Sequence, residues 1–157
     1  AAAPGAADVS DSSVTVLTQM TARLLLAPIL VISVAVLVNG YASVGDGFSA
    51  GVIASLGLLL QYVSFGRERS DRLLRLRLVP AAAFAGLLGA LAVALVPLLR
   101  GEPILTHWPP PGSDAIYVGS LELITAVAFD VTVYVLVVGC VVGFARAIAR
   151  AGEGVAR

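Results

Sequence analysis

The chain has 157 residues, of which 59% are hydrophobic and 13% charged, with zero formal net charge and a mean hydropathy of +0.97. Soluble domains average about 25% charged residues, and apolar runs as long as these exceed what a water-soluble core of this size can bury. The composition excludes an ordinary soluble globule and points to an all-α, polytopic membrane protein, while the lone Cys140 excludes an intrachain disulfide and a cysteine-built metal site.

Residues 1–13 (AAAPGAADVSDSS) are small, polar or turn-prone and show no apolar period, so they are expected to form a flexible N-terminal segment ahead of a transmembrane domain over 14–157. No charged n-region followed by an apolar h-region is seen, and no signal peptide is expected. From about Thr18 to Val38 the chain is apolar for about the 20 residues that cross a bilayer core, which predicts the first span. Pro28 removes an amide from it and clashes with the Leu24 carbonyl, so a kink is expected there. Arg23, near its entrance, reads as an interfacial anchor whose guanidinium snorkels to the headgroups.

Asn39 to Gly47 is a turn-rich connector, and residues 48–65 predict a second span in which Gly47, Gly51 and Ser55 recur every four residues, a spacing that lets another helix approach closely. The loop from Gly66 to Arg77 holds five of the ten arginines, an excess that keeps a short loop on the cytoplasmic side. Residues 78–99 predict a third span, with Pro80 tolerable in its first turn. The following segment, Arg100 to Ala115, carries one arginine, four prolines and the only His and Trp, and is placed outside. Pro109 to Pro111 are expected to be extended, Trp108 to join the interfacial aromatic belt, and His107 to be an exposed loop side chain. The fourth span is expected from about 118 to 144, giving four helices with both termini cytoplasmic and nine of ten arginines at or toward that side.

The fourth span carries the residues most in need of explanation. On this helix Glu122, Ala126, Asp130 and Tyr134 recur every four residues and form one slanting row, polar except at Ala126. With a start near residue 118, Asp130 lies roughly 18 Å into the helix, near mid-bilayer, and Glu122 lies about one turn in. A carboxylate at mid-bilayer costs roughly 3 kcal/mol on insertion scales, and so faces protein or water and often marks an ion path. Two readings of Asp130 stay open: it binds or relays H⁺ or Na⁺ with help from Tyr134, or it is hydrogen-bonded to a neighbouring helix and fixes assembly. Glu122 reads as a relay group or, more readily, as an interfacial acid, and Thr125, about 140° around the helix from Asp130, is left out of the site. Gly139 and Gly143 give a GxxxG spacing that predicts a packing face. Asp46 reads as a turn residue or as a cation-attracting group at an outer mouth, and Cys140 as a buried small residue.

No GxxxxGK[ST], HExxH, GxSxG or CxxC pattern is present, so an enzyme is not expected, and neither a cofactor nor a nucleic-acid partner is suggested. The arginine-rich loop suits the cytoplasmic face of a lipid bilayer.

Two stretches, NGYASVGDGFSAGVIASLGLLLQY and GSLELITAVAFDVTVYVLVVG, resemble the B-type subunit of multisubunit Mrp-type sodium/proton antiporters. The first is similar to the family's PGGGF-like loop followed by a Gly-rich second helix, and the second to its FD pair followed by a GVYLVVVG-like run. Here the family pattern falls on Gly45, Gly47, Phe48 and Gly51, and on Phe129, Asp130, Val133 and Tyr134. Val44 and Asp46 stand where the family usually has Pro and Gly, and Thr132 where a Gly is common. The resemblance implies a small component of a bacterial or archaeal inner-membrane complex that exchanges Na⁺ for H⁺ and whose larger subunits are related to respiratory complex I. It implies other membrane subunits as partners, no transport by this chain alone, and a place for Asp130 on a cation route. The alternative is a purely structural component of such a proton-pumping assembly.

Overall fold

The computed structural model describes residues 6–39, 46–66, 79–106, 108, 117–118, 121–122 and 125–155. Among them, four helices are long and apolar enough to cross a membrane. They are α1 (Ala6–Asn39), α2 (Asp46–Phe65), α3 (Val79–Leu95) and α4 (Thr125–Val155). A 3-10 turn, Val96–Arg100, extends α3 and closes at Gly101, whose φ of 76° is the left-handed conformation glycine adopts without a Cβ penalty. Two short strands, β1 (Tyr117–Val118) and β2 (Leu121–Glu122), pair antiparallel between α3 and α4.

Several boundaries differ from expectation for identifiable reasons. Helix α1 starts at Ala6, inside the segment expected to lack structure; alanine is the best helix former, and a long apolar helix downstream supplies the nucleus onto which residues 6–13 add. It also runs through Pro28 without interruption. Helix α4 starts seven residues later than the expected 118 and continues to Val155. The pairing of Val118 with Leu121 and Tyr117 with Glu122 takes that apolar stretch into a ribbon, and Gly119–Ser120, between the paired residues, are types that suit a two-residue connection. The arginine-rich loop 67–77, on which the expected orientation rests, lies outside the described residues, as do His107, Pro109 to Pro111 and Gly45.

The helices pack in the order α1, α2, α4, α3, each mainly against its neighbours in that row. Ser33 meets Ala50 and Ala22 meets Gln61, so α1 and α2 are antiparallel. On the other side of α2, Gly47 lies against Asp130 and Tyr62 clusters with Val142, which makes α2 and α4 parallel. Gly139 against Ala83 and Gly89 against Thr132 make α3 and α4 antiparallel. Small residues let these axes approach: a Cβ on Gly86 or Gly139 would fall within 2.7 Å of the Leu136 or Ala83 Cα atom of the facing helix. Helix α2 is the most enclosed, with Gly47, Ala50, Gly51, Ala54, Ser55, Gly57, Gln61 and Tyr62 all buried. Elsewhere large apolar side chains point outward, among them Leu24, Phe84, Leu88 and Phe144, as expected where the surrounding medium is hydrocarbon.

Candidate functional site

The two motifs singled out in the sequence meet where the start of α2 lies against the first turns of α4. Like any helix, α2 leaves its first four backbone N–H groups without partners inside the helix. One of them, the Gly47 N–H, donates to the carboxylate of Asp130. Glycine is required at 47 because a Cβ there would collide with the Asp130 carbonyl oxygen and stand 2.8 Å from the Asp130 Cα. One turn further on, a Cβ at Gly51 would lie 2.9 Å from Val137 Cβ and 3.2 Å from the Tyr134 carbonyl oxygen. Contact continues through Leu58 and Val138 to Tyr62 and Val142. The contact positions on α2, Gly47, Gly51, Leu58 and Tyr62, are four, seven and four residues apart, one or two helical turns each, which keeps one face of α2 toward α4.

Asp130 is the sixth residue of α4, about 7.5 Å from the helix start and not the roughly 18 Å a start near residue 118 would give. The reason is the ribbon that replaces the first two turns of the expected helix. Glu122 therefore lies on β2, paired with Tyr117, and shares no helical row with Asp130. The expected four-residue row is reduced to Ala126, Asp130 and Tyr134.

Tyr134 takes part in a buried polar contact across three helices. The Ser33 hydroxyl of α1 is fully buried and donates to the Ala50 carbonyl of α2 at 2.8 Å. Ser33 Oγ also lies 3.3 Å from the Tyr134 hydroxyl of α4, and with the serine proton committed to Ala50, the phenol O–H donates to it. Two further hydroxyls fold back on their own helices: Ser55 donates to the Gly51 carbonyl at 2.7 Å, and Thr132 to the Phe129 carbonyl at 2.7 Å. A second buried polar tie sits toward the far end of the bundle, where Gln61 Nε2 donates to the Ala22 carbonyl at 2.5 Å.

The remaining candidates are dispersed. Asp46 opens α2, and its charge acts on Asp130. Phe48 projects outward with 60% of its surface exposed. Gly139 faces Ala83 of α3, and Gly143 is half-buried one turn later. Cys140 is exposed, contrary to the expectation of burial; the helix is apolar on every side there, so sequence alone does not reveal which residues face outward. Thr125 caps the entry to α4: its N–H donates to the Trp108 carbonyl, and its hydroxyl accepts from the Trp108 N–H at 3.1 Å. Above it the Arg100 guanidinium stacks on the Trp108 ring at 5.8 Å. At the opposite end Arg23 lies 5.1 Å from the Phe65 ring centre. Among the described residues no cluster of His, Cys, Asp or Glu is arranged to hold a metal ion.

Ser33, Gln61 and the buried Arg146 were not reached by reasoning from sequence. The signal available was a polar residue inside an apolar run, VISVAV for Ser33 and LLLQYV for Gln61, which in a membrane must find a partner on another helix or on its own backbone.

A family model described as a domain related to the MnhB subunit of Na⁺/H⁺ antiporters matches residues 17–143. The B-type subunit of the Na⁺/H⁺ antiporter of Alkalihalophilus pseudofirmus is 33% identical over 111 residues, 71% of this chain and 76% of that protein. Its counterpart in Bacillus subtilis, also a B-type Na⁺/H⁺ antiporter subunit, is 32% identical over 121 residues, 77% of this chain and 83% of that protein. A probable K⁺/H⁺ antiporter protein of Rhizobium meliloti, a combined A/B-type subunit, is 36% identical over 105 residues, 66% of this chain, and this match spans only 10% of that relative's length. In the solved Mrp complex from Dietzia sp., one chain superposes with a TM-score of 0.66 at 26% identity, over 90% of this chain and 14% of that one. The family match covers the helices that build the Asp130 contact, and with four helices of spanning length the protein is a multi-pass membrane protein. It belongs to the family of domains related to the MnhB subunit of Na⁺/H⁺ antiporters.

Proposed function

We propose that this chain is a small integral-membrane component of a multisubunit Mrp-type cation/proton antiporter, working beside other membrane subunits in a bacterial or archaeal cell membrane, and that Asp130 borders its ion path. The observation that supports the role of Asp130 most is its carboxylate held on α2 beside the charge of Asp46, with the Tyr134 hydroxyl one turn along α4. Asp130 is half-buried at this contact between two apolar helices, and in membranes acids held by a specific partner serve ion movement or helix pairing. The cytoplasmic placement of both termini follows from the arginine distribution, and Na⁺ and H⁺ are the proposed transported ions. The two relatives named as B-type subunits, and the larger proteins in which such a domain is a small part, support membership of an assembly.

A second reading has its own support. The Asp130 carboxylate satisfies an N–H that α2 leaves open, and a negative charge at a helix N-terminus is favourable by about 0.3–1 kcal/mol. On this reading Asp130 joins α4 to α2 and conducts nothing. The experiment for the wider proposal is deletion of this chain from the native membrane complex, followed by affinity purification of the remaining subunits and measurement of Na⁺-driven proton movement in vesicles. Loss of exchange, restored by the chain supplied in trans, supports membership of the working complex. Full exchange from a complex lacking the chain contradicts it.

A further inference from the structure

The chain does not leave α3 in the direction the helix points. Gly101, in its left-handed conformation, turns it back, and from there the backbone donors advance while their acceptors retreat. The Gly101 N–H bonds to the Leu98 carbonyl, that of Glu102 to Pro97 and that of Leu105 to Ala94, at 3.0, 3.1 and 3.3 Å. The acceptors thus move four residues down the helix, roughly 6 Å at 1.5 Å per residue. Ala94 is open to this bond because, where the helix tightens to i→i+3 bonding, its partner would be the N–H that Pro97 lacks. The apolar span of this helix ends at Arg100, so a return of one turn brings Ile104 and Leu105 back below the level of that arginine.

Three features of the returning segment fit the boundary between headgroups and acyl chains. Its backbone is largely closed: Gly101, Glu102, Leu105 and Thr106 donate their N–H groups to carbonyls of the chain, Pro103 has none to donate, and the Thr106 hydroxyl donates to the Pro103 carbonyl at 2.6 Å. Polar groups met within the chain lower the cost of entering a layer where water is scarce. Its apolar side chains point outward, with Ile104 and Leu105 each 56% exposed and Leu99 88%. Leu105 has a φ of 65° at the third position of the turn that the Thr106 N–H closes on Pro103, a place that turns with positive φ give to Gly or Asn. A branched side chain is disfavoured there, and such an outlier points to a use for the side chain. The rim is cationic and aromatic, the Arg100 guanidinium lying over the Trp108 ring, as suits side chains at headgroup level.

We infer that residues 99–106 are a lipid-binding hook, which seats Leu99, Ile104 and Leu105 in the outer acyl region of a phospholipid leaflet with the Arg100 guanidinium at the headgroup phosphate. Arg100 and Glu102 offset each other in charge, so apolar insertion drives the contact, and zwitterionic phospholipid serves as well as anionic. Trp108, two residues beyond the hook, passes its position to α4 through the bonds with Thr125. The hook thereby sets the level at which α4 begins.

Spin labelling of the full chain within the assembled complex, in phosphatidylcholine nanodiscs, tests this. In a Cys140→Ser background, nitroxides at Leu99→Cys and Ile104→Cys are read by collision with oxygen, which concentrates in lipid, and with a water-soluble nickel chelate, on a scale set by spin-labelled lipids. The expected result is the lipid pattern at both positions. Frequent nickel collisions place the segment in water and overturn the inference. Exclusion of both reagents means that a partner subunit covers it, which overturns the inference too. Leu105→Gly gives a second reading, because glycine takes the left-handed φ freely. A leucine without a use predicts that the label at 104 stays in place, whereas the hook predicts that the population outside the leaflet rises about tenfold, the least that burial of one Leu side chain is worth. Leu105→Asn also accepts this φ and should move the label as Gly does, which separates lost apolar contact from a loosened loop. A label unmoved in both variants overturns the inference.

Discussion

The Asp130 carboxylate of α4 accepts the Gly47 N–H at the start of α2, and the Gly47 Cα lies against the Asp130 backbone so closely that no Cβ fits between them. The two motifs, separated by more than eighty residues in sequence, thus form one contact in space. Its energetics follow from two features: an open helix end that welcomes a carboxylate, and a glycine that lets the acid's own backbone come near enough to present it.

The first prediction concerns that glycine. Gly47→Ala places a methyl group on backbone atoms of Asp130 that cannot turn aside, and overpacking of this kind costs about 1–3 kcal/mol. Gly86→Ala and Gly139→Ala, which also face backbone, should behave alike. Gly57→Ala meets the Ile29 side chain at 2.8 Å and Gly89→Ala the Thr132 side chain at 2.7 Å; both neighbours can shift, and the cost should be smaller. Thermal denaturation of the detergent-solubilised complex, followed by size-exclusion fluorescence, should rank 47, 86 and 139 as more damaging than 57 and 89.

A second prediction takes Ser33 and Tyr134 as a pair. Ser33→Ala removes a donor from Ala50 and an acceptor from Tyr134, and hydrogen bonds between membrane helices are worth about 0.6 kcal/mol on average and up to about 1.7. Tyr134→Phe should destabilise by a similar amount. In a double-mutant cycle the two losses should be less than additive, because both remove the same contact. Full additivity in stability measurements would show that the hydroxyls do not interact.

Much of the fold is legible in the sequence because bilayer thickness sets the length of each span, and runs of apolar residues such as those over α2 and α3 reveal it directly. The first turns of α4 are not, since Tyr117 to Ile124 is apolar enough for either helix or strand, and hydropathy does not separate the two. That ambiguity puts Glu122 on the wrong element and Asp130 about two turns too far along its helix. The importance of Asp130 is legible from its charge alone, whereas its partner is not, because nothing local to α4 marks the Gly47 N–H as the donor its carboxylate will meet. Ser33 and Gln61 stand out only once α1 is known to lie against α2.

Third, Gln61→Leu should weaken the α1–α2 pair modestly, by about 1 kcal/mol or less, since it deletes the bond to Ala22 while keeping the side-chain volume. Disulfide trapping between cysteines introduced on the outward faces of α1 and α2 would report the loosening as slower cross-linking. An unchanged rate and unchanged stability would contradict a structural role for this bond.

Fourth, Trp108 is the chain's only tryptophan, and its fluorescence reports the start of α4. Thr125→Val removes the acceptor for the Trp108 N–H, and Arg100→Gln removes the cation over its ring. Both should raise quenching of Trp108 by acrylamide, measured on the chain in nanodiscs, while Thr125→Ser should leave it near wild type.

The most direct measurement on the role of Asp130 is Na⁺-dependent proton flux by the reconstituted complex carrying Asp130→Asn, with complex yield determined on the same preparation. Asparagine keeps an oxygen that accepts the Gly47 N–H but neither ionises nor carries a proton, so it preserves the helix contact while removing the acid chemistry. The account predicts near-normal yield with flux reduced at least tenfold, equivalent to about 1.4 kcal/mol or more in the barrier. Normal flux from a normal yield of the Asn complex would contradict it and leave Asp130 as a tie between α2 and α4.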